Sequence, residues 1–368
     1  MKRYIEIIQN TVPEIDKKDI KLPFENIGID SIDLVTIRVD LEKEIGKNIP
    51  DSKWVTFENL YEIIGYCSSH ENSIATNGNG LEQKSILKEV TIDMPQMAIE
   101  ALSENWLFKE LGNLHWQMLC DGLGTKSFDL KDELDNRLYA TFVRISINST
   151  VPLNKFKENE TLSIDGKINR YGNSMYFSNI ILQSGEAAID AHLMTSFSIR
   201  NASDNTKLVK SQPGGVKNSI HEFDINPAFG NEYRLVKKGE LNAIRIGDIQ
   251  FEINNDCIFE TPYNLNPYYD LNGVGLLYFA AYPIISDVCE AKYFNALEKD
   301  YDRWELAYYT LSRDIFYYGN CNVNETVLFK LHAFSFLEND MVQLNSSLHR
   351  KSDNSLIARI FTVKKKRS

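Results

Sequence analysis

Apolar residues recur at helical spacing in three stretches before residue 70. Tyr4, Ile5, Ile7 and Ile8 form one stripe, which Pro13 ends. Leu34, Ile37, Leu41 and Ile45 form a second, widened by Val35 and Val39, with Asp30 or Ser31 placed to cap its start. Phe57, Leu60, Ile63 and Ile64 mark a last helix. Residues 73–87 around Thr76-Asn77-Gly78-Asn79-Gly80 lose all periodicity and read as a flexible linker. Beyond them strand-like alternation appears, as in Leu138–Ile147 and Leu193–Ile199. Two long apolar segments interrupt it, and both read as helices: Ser103–Cys120 and Asn272–Tyr282. Several strands follow each, so residues 88–208 and 209–368 share one order of elements, as an internal duplication would. A helix wrapped by an antiparallel sheet, repeated twice, is an α+β arrangement.

Composition narrows the classes. A net charge of −11 over 368 residues argues against nucleic acid or an anionic membrane as the partner. The basic tail Lys364-Lys365-Lys366-Arg367 does not alter that balance. Residues 1–70 carry nine basic and thirteen acidic residues. The five cysteines are scattered and form no CxxC pair, so no disulfide framework or metal site is expected. The amino terminus lacks a basic segment followed by an apolar one, and the longest apolar run, Gly273–Ile285, is too short for a bilayer. A cytoplasmic location is the expectation.

Chemistry first shows at Gly28-Ile29-Asp30-Ser31-Ile32. A serine hydroxyl at a helix start is accessible, and the positive end of the helix dipole favours a phosphodiester there. Together with Phe24-Glu25-Asn26-Ile27, Leu41-Glu42-Lys43-Glu44-Ile45-Gly46 and Ile49-Pro50, the segment resembles acyl carrier proteins. The resemblance implies a four-helix carrier domain over residues 1–72 with covalent 4′-phosphopantetheine on Ser31. It implies a phosphopantetheinyl transferase as partner, and an acidic face of Asp30, Asp33, Asp40, Glu42 and Glu44 turned toward other enzymes.

In the second half, Tyr268-Tyr-Asp-Leu-Asn-Gly-Val-Gly-Leu-Leu-Tyr278 places Asp270, Asn272, Gly273 and Gly275 ahead of the apolar segment. Glycines there permit close approach of a thioester, and free N–H groups at a helix start suit an oxyanion. With Leu102–Trp116 and Arg137–Arg144, this segment resembles the double-hotdog acyltransferase/decarboxylases of polyketide pathways, the leinamycin type. The resemblance implies hotdogs at 88–208 and 209–368. It also implies transfer of a malonyl-type group, methylmalonyl favoured, from CoA to a carrier with loss of CO2 and without a metal. The partners would be acyl-CoA and polyketide synthase components or other carrier proteins. The family's acyl-accepting tyrosine fits best at Tyr139, with Tyr278 and Tyr269 as rivals. Arg137 should share a strand face with Tyr139, and Arg144 should face away.

Other candidates carry two readings each. Glu104 and Asn105 either cap the first helix or line a thioester channel. His115 is either a packing histidine or a general base. Arg313 either pairs on the sheet or binds pantetheine or CoA phosphates, and Tyr278 is a candidate pocket wall. The competing activity is a hotdog thioesterase, with Asp270 activating water, or a dehydratase.

Overall fold

The computed structural model describes residues 1–70, 84–201, 204–297 and 303–367. Helices α1 (Lys2–Thr11), α2 (Ser31–Ile45), α3 (Asp51–Trp54) and α4 (Leu60–Ser69) form the amino-terminal domain. Ile8, Ile37, Leu41, Ile45, Leu60 and Ile63 build its small core. The expected linker lies mostly outside the described residues. Its last four positions, 84–87, belong instead to a strand, because Ile86 and its neighbours find a partner in the sheet.

That strand is β1 (Lys84–Thr91). The short pair β2 (Met97–Ala98) and β3 (Ala101–Leu102) leads into helix α5 (Glu104–Leu123). Then follow β4 (Leu138–Ser149), β5 (Thr161–Tyr171), β6 (Met175–Ser184), β7 (Ala187–Asn201) and β8 (Asp204–Lys210). The second half opens with α6 (Ala228–Lys238), the hairpin β9 (Ala243–Ile246) and β10 (Ile249–Glu252), β11 (Phe259–Asn264) and the one-turn α7 (Pro267–Asp270). Helix α8 (Tyr282–Leu297), the short α9 (Trp304–Ala307), β12 (Tyr308–Tyr317), β13 (Thr326–Leu337), β14 (Met341–Arg350) and β15 (Leu356–Lys366) complete it. The second long helix therefore begins where the apolar pattern suggested it would end. Gly275, at φ +77°, holds the preceding segment in a turn, and Pro283 sits in the first turn of α8, where its missing N–H costs nothing.

All the long strands join one antiparallel sheet, with β4 and β12 side by side at its centre. Outward from this seam run β7, β6, β5 and β1 on one side, and β15, β14, β13 and β11 on the other. The two orders match strand for strand. Even the irregularities correspond: β4 slips register against β7 between Phe142 and Arg144, and β12 slips against β15 between Thr310 and Ser312. Helices α5 and α8 fill the concave side, where Leu111, Leu114, Leu119, Ile285 and Cys289 pack on the inward strand residues.

The first bulge alters which side chains share a face. Tyr139 lies opposite Ser198 on β7, Thr141 opposite Ser196, and Arg144 opposite Met194. Residues 194, 196 and 198 alternate regularly, so Arg144 faces the same side as Tyr139, contrary to simple alternation along β4. On that convex face Arg144 forks onto Asp314 (3.0 and 2.6 Å) and reaches Glu232 of α6 (2.6 Å).

The carrier-like domain docks on the same face. Ile32, Val35 and Val39 of α2 pack with Val143, Tyr171, Met175, Met194, Tyr233 and Val236. Lys237 pairs with Asp30 (3.0 Å) and Lys238 with Asp33 (3.1 Å). Lys43 donates to the carbonyls of Phe223 (2.7 Å) and Asp224 (3.0 Å). Ser211 donates to Asp51 (2.7 Å), which Arg38 also holds (2.6 Å). Helix α2 is thus buried on two sides, one toward its own domain and one toward the sheet. Gly172, at φ +61°, makes room: a Cβ there would overlap Val39.

Val39→Asp removes apolar burial worth roughly 2 kcal/mol and sets a carboxylate against Tyr171 and Met175. The expected outcome is an undocked but folded amino-terminal domain, seen as a larger radius of gyration in small-angle scattering. An unchanged scattering profile would count against this docking.

Candidate functional site

Ser31 is the first residue of α2, and its local sequence leaves it unencumbered. Asp30 does the capping, accepting from the N–H groups of Ile32 (2.6 Å) and Asp33 (2.9 Å), while Asp33 accepts from the N–H of Asp30 (3.0 Å). Among the described residues Ser31 Oγ has no hydrogen-bond partner, and the residue is exposed. Ser31 lies at a cavity of about 250 Å³ that is otherwise lined mainly by residues of the sheet domain.

The seam explains that cavity. Strands β4 and β12 pair only from Arg144–Phe316 to Asn148–Ser312. Beyond Phe316 the chain turns through Tyr317, Tyr318 and Gly319, whereas β4 continues back to Leu138 without a partner on that side. The slot between them is lined by Tyr139–Val143 and Tyr317–Asn320, with Ser31, Lys210 and Lys237 at one end and Tyr278, Phe279 and Trp116 at the other. The segment leading into α8 is pinned across it. Asn320 accepts from the N–H of Leu277 (2.8 Å), Tyr282 donates to the carbonyl of Gly319 (3.2 Å), and Tyr317 donates to that of Phe279 (3.1 Å).

The polar lining is unusual in kind. Tyr139, Thr141, Thr206, Lys210, Lys237, Asn272, Tyr278 and Asn320 border the cavity, and no carboxylate, imidazole or thiol does among the described residues. Asn272 Oδ1 accepts from the N–H groups of Val274 and Leu276 (3.1 Å each), which fixes the side chain. Its Nδ2 has no partner among the described residues and is available to a ligand.

Lys210 was not apparent from sequence. It sits on β8 in one cross-strand row with Ser198 and Tyr139. Its ammonium donates to Ser196 Oγ (2.6 Å) and Thr141 Oγ1 (3.3 Å). Burial, assisted by the charge of Lys237, lowers its pKa to about 7. Nothing in Lys207-Leu-Val-Lys210 distinguishes its second lysine from its first, so only the tertiary structure picks this residue out.

The remaining sequence candidates fall in three places. Tyr139, Asn272 and Tyr278 line the cavity. Tyr269 is exposed and Gly273 faces open space, neither on the cavity wall. Asp270 is buried instead, its carboxylate accepting from the N–H of Asn266 (2.7 Å) and meeting Tyr263 OH (3.4 Å). It holds the α7 turn and does not reach the cavity, so it is not placed to activate water there. His115 is fully buried on α5 between Ser178 (2.7 Å) and Thr195 (2.8 Å), and burial pushes its pKa down to about 3. That is a packing histidine rather than a general base. Asn105 donates to the carbonyl of Ala280 (3.4 Å), joining α5 to the segment before α8.

Glu104 and Arg313 occupy the opposite end of the seam. Arg313 is wholly buried and meets Glu104, Asp287 (2.6 Å) and Glu290 (3.9 Å), with Lys364 joining Asp287 and Glu290 (2.8 Å each). Burial raises the Glu104 pKa; for Asp287 the Arg313 and Lys364 cations outweigh burial and lower it. Arg313 is therefore closed to phosphates. Among the described residues no group of His, Cys, Asp or Glu is arranged to hold a metal, and no helix is long and apolar enough to cross a membrane.

Comparisons with known proteins follow this division. A phosphopantetheine attachment site model matches residues 6–67. The acyl carrier protein of Azobacteroides pseudotrichonymphae genomovar. CFP2 is 33% identical over 78 residues, 20% of this chain and 91% of that protein. The acyl carrier protein of Rickettsia bellii (strain OSU 85-389) is 29% identical over 67 residues, 18% of this chain and 83% of that protein. The crystal structure of the 12:0-ACP thioesterase from Umbellularia californica is similar with a TM-score of 0.52 at 10% identity, covering 77% of this chain and 94% of that one. At that identity the likeness is one of fold, and the fold is the hotdog, present twice.

Two predictions follow from these environments. Lys210 should titrate near pH 7 in the unmodified protein, and attaching phosphopantetheine to Ser31 should raise that value, because a phosphodiester favours the ammonium; ¹⁵N NMR of the side-chain amine reads both. Arg313→Ala leaves buried carboxylates unpaired and should lower stability by about 3–5 kcal/mol in denaturant unfolding, without changing the cavity at the other end of the seam.

Proposed function

Because the amino-terminal domain of this chain belongs to the acyl carrier protein family, we propose that the whole chain is a self-loading acyltransferase/decarboxylase. It moves a malonyl-type group, methylmalonyl favoured, from CoA to the phosphopantetheine on its own Ser31 and releases CO2. One observation carries the reading: Ser31 and Tyr139 border one cavity whose described polar lining is tyrosine, threonine, asparagine and lysine. Hydrolysis or dehydration calls for a group that takes a proton from water or from a substrate carbon, most often a carboxylate or imidazole, and in this cavity Lys210 is the one described side chain with a pKa near 7. Decarboxylation needs neither. It needs the thioester carbonyl fixed and the enolate oxygen stabilised, and Asn272 Nδ2 suits that task.

A carrier phosphate on Ser31 would share its cavity with Lys210, while Lys237 is paired with Asp30 (3.0 Å). In the first step the Tyr139 oxygen attacks the thioester carbonyl, the C–S bond breaks, and the phenolic proton passes to the departing sulfur, so CoA leaves as the thiol. Cleavage of the bond to the carboxylate releases CO2 and leaves its electron pair on Cα and the carbonyl oxygen; a proton taken from water at Cα completes the acyl group. Attack by the pantetheine thiol on the tyrosyl ester then regenerates Tyr139. Apolar walls from Phe142 and Phe279, whose ring centroids stand 4.2 Å apart, favour loss of the carboxylate charge.

Intact-protein mass spectrometry of the phosphopantetheinylated chain with methylmalonyl-CoA tests this. A propionyl adduct is expected, absent in Ser31→Ala. Tyr139→Phe should abolish transfer, and Asn272→Ala should slow it by ~10²–10³. Release of free CoA with no adduct would indicate hydrolysis and replace this reading with a thioesterase.

A further inference from the structure

Tyr139, Trp116, Tyr278 and Phe279 border two cavities, not one. Besides the cavity lined by Ser31, a second of about 350 Å³ shares these four residues as part of its wall. It is lined by Lys109, Gly112 and Asn113 of α5, by Ser127, and by Arg137 and Leu138 at the start of β4. The carrier-like domain contributes to the first cavity and not to the second.

This second mouth stands out for its charge. In a chain with a net charge of −11, its described lining contains two cations and no carboxylate. Both cations are exposed, and neither forms an ion pair among the described residues. They lie over aromatic rings instead: Lys109 Nζ is 6.0 Å from the Tyr278 ring centroid, and the Arg137 guanidinium is 5.0 Å from that of Tyr139 and 4.8 Å from that of Phe128. Phe128 is itself exposed. Unneutralised cations over one exposed and two half-buried rings, on a cavity wall shared with the one that Ser31 lines, suit a ligand with phosphates and a flat base at one end and a slender arm at the other.

We infer that the second mouth, rimmed by Lys109 and Arg137, binds the nucleotide end of coenzyme A, so that acyl-CoA and the carrier arm reach Tyr139 from opposite sides. The inference rests on the proposed acyl transfer for its purpose, but the binding site stands on its own residues. Two entrances remove a conflict. A single mouth would oblige the docked carrier to leave before each acyl-CoA could enter. With two, the carrier stays seated through the donor half-reaction, and the tyrosyl ester passes from one arm to the other.

Titration calorimetry of the full chain with coenzyme A itself tests the site, alongside kinetics with a CoA thioester and with the N-acetylcysteamine thioester of the same acyl group. Lys109→Glu should weaken CoA binding at least tenfold and raise the KM for the CoA thioester similarly, leaving the N-acetylcysteamine thioester unaffected because it lacks the nucleotide. Arg137→Gln should also weaken CoA binding. Wild-type CoA affinity in both variants would overturn the inference, as would no CoA binding by the wild-type chain. So would CoA binding that is lost when the phosphopantetheine arm is installed on Ser31 yet is indifferent to Lys109→Glu, since CoA would then share the carrier's mouth. CoA binding that depends on Lys109 without any acyl transfer would uphold the site and reject the proposed activity, so the two failures are separable.

Discussion

Backbone donors and acceptors at the middle of a sheet must be paired or else face a space that something polar can enter. The seam between β4 and β12 meets this demand over five residue pairs only. Past Phe316 the two strands part, and the freed length of β4 borders a cavity instead of a neighbour. The position of Tyr139, the slot beside Ser31 and the second cavity that Tyr139 borders all derive from that short pairing. Arg144 reinforces the seam where it still holds. Its fork onto Asp314 bridges β4 and β12, and its contact with Glu232 anchors α6. Helix α6 in turn presents Lys237 and Lys238 to the carrier helix. The carrier is therefore positioned by the same interaction that closes the sheet.

A duplicated fold has two equivalent seam ends, and here they have diverged. At one end the strands open onto tyrosine, asparagine and lysine. At the other, Glu104, Arg313, Asp287, Glu290 and Lys364 fill the corresponding region, and the short turn Leu153–Lys155 packs on β12. A buried ion cluster of this kind contributes little net stability over an apolar filling, but losing one member leaves an uncompensated charge. Its effect is to close that end. One chain thus keeps the two-half architecture while leaving one end of the seam open, the end at which the carrier domain docks.

Much of this was legible in the sequence. The carrier segment announced itself because Asp30, Ser31 and the helix after them form a local pattern, and local patterns survive without knowledge of the fold. The widened stripe of α2, with Val35 and Val39 beside Ile37 and Leu41, already exceeded what one small core requires; the excess is the docking face. The equal order of elements in the two halves was also readable. What failed was whatever depended on tertiary pairing. The bulge before Arg144 turned that residue onto the Tyr139 face, Arg313 found carboxylates from α5 and α8, and Asp270 was drawn into its own turn. Lys210 acquired its character only because β8 runs beneath the carrier. Residues of α8 were misplaced because an apolar run after Gly275 fits a helix or a buried lead segment equally well, and periodicity does not separate the two.

The docking interface must hold a carrier and also release it. Its contacts divide accordingly. The apolar patch of Ile32, Val35 and Val39 is small, and much of the rest is ion pairs at half-buried lysines, which water and salt weaken. Such a surface would associate poorly between separate molecules. Within one chain the connection supplies an effective concentration on the order of millimolar, so a weak surface suffices to keep Ser31 at the slot for most of the time. A tighter interface would gain little occupancy and would slow release of the carrier domain. Joining the carrier to the sheet domain in one chain thus relaxes the demand on affinity, which two lysines on α6 meet without the bidentate geometry of an arginine clamp.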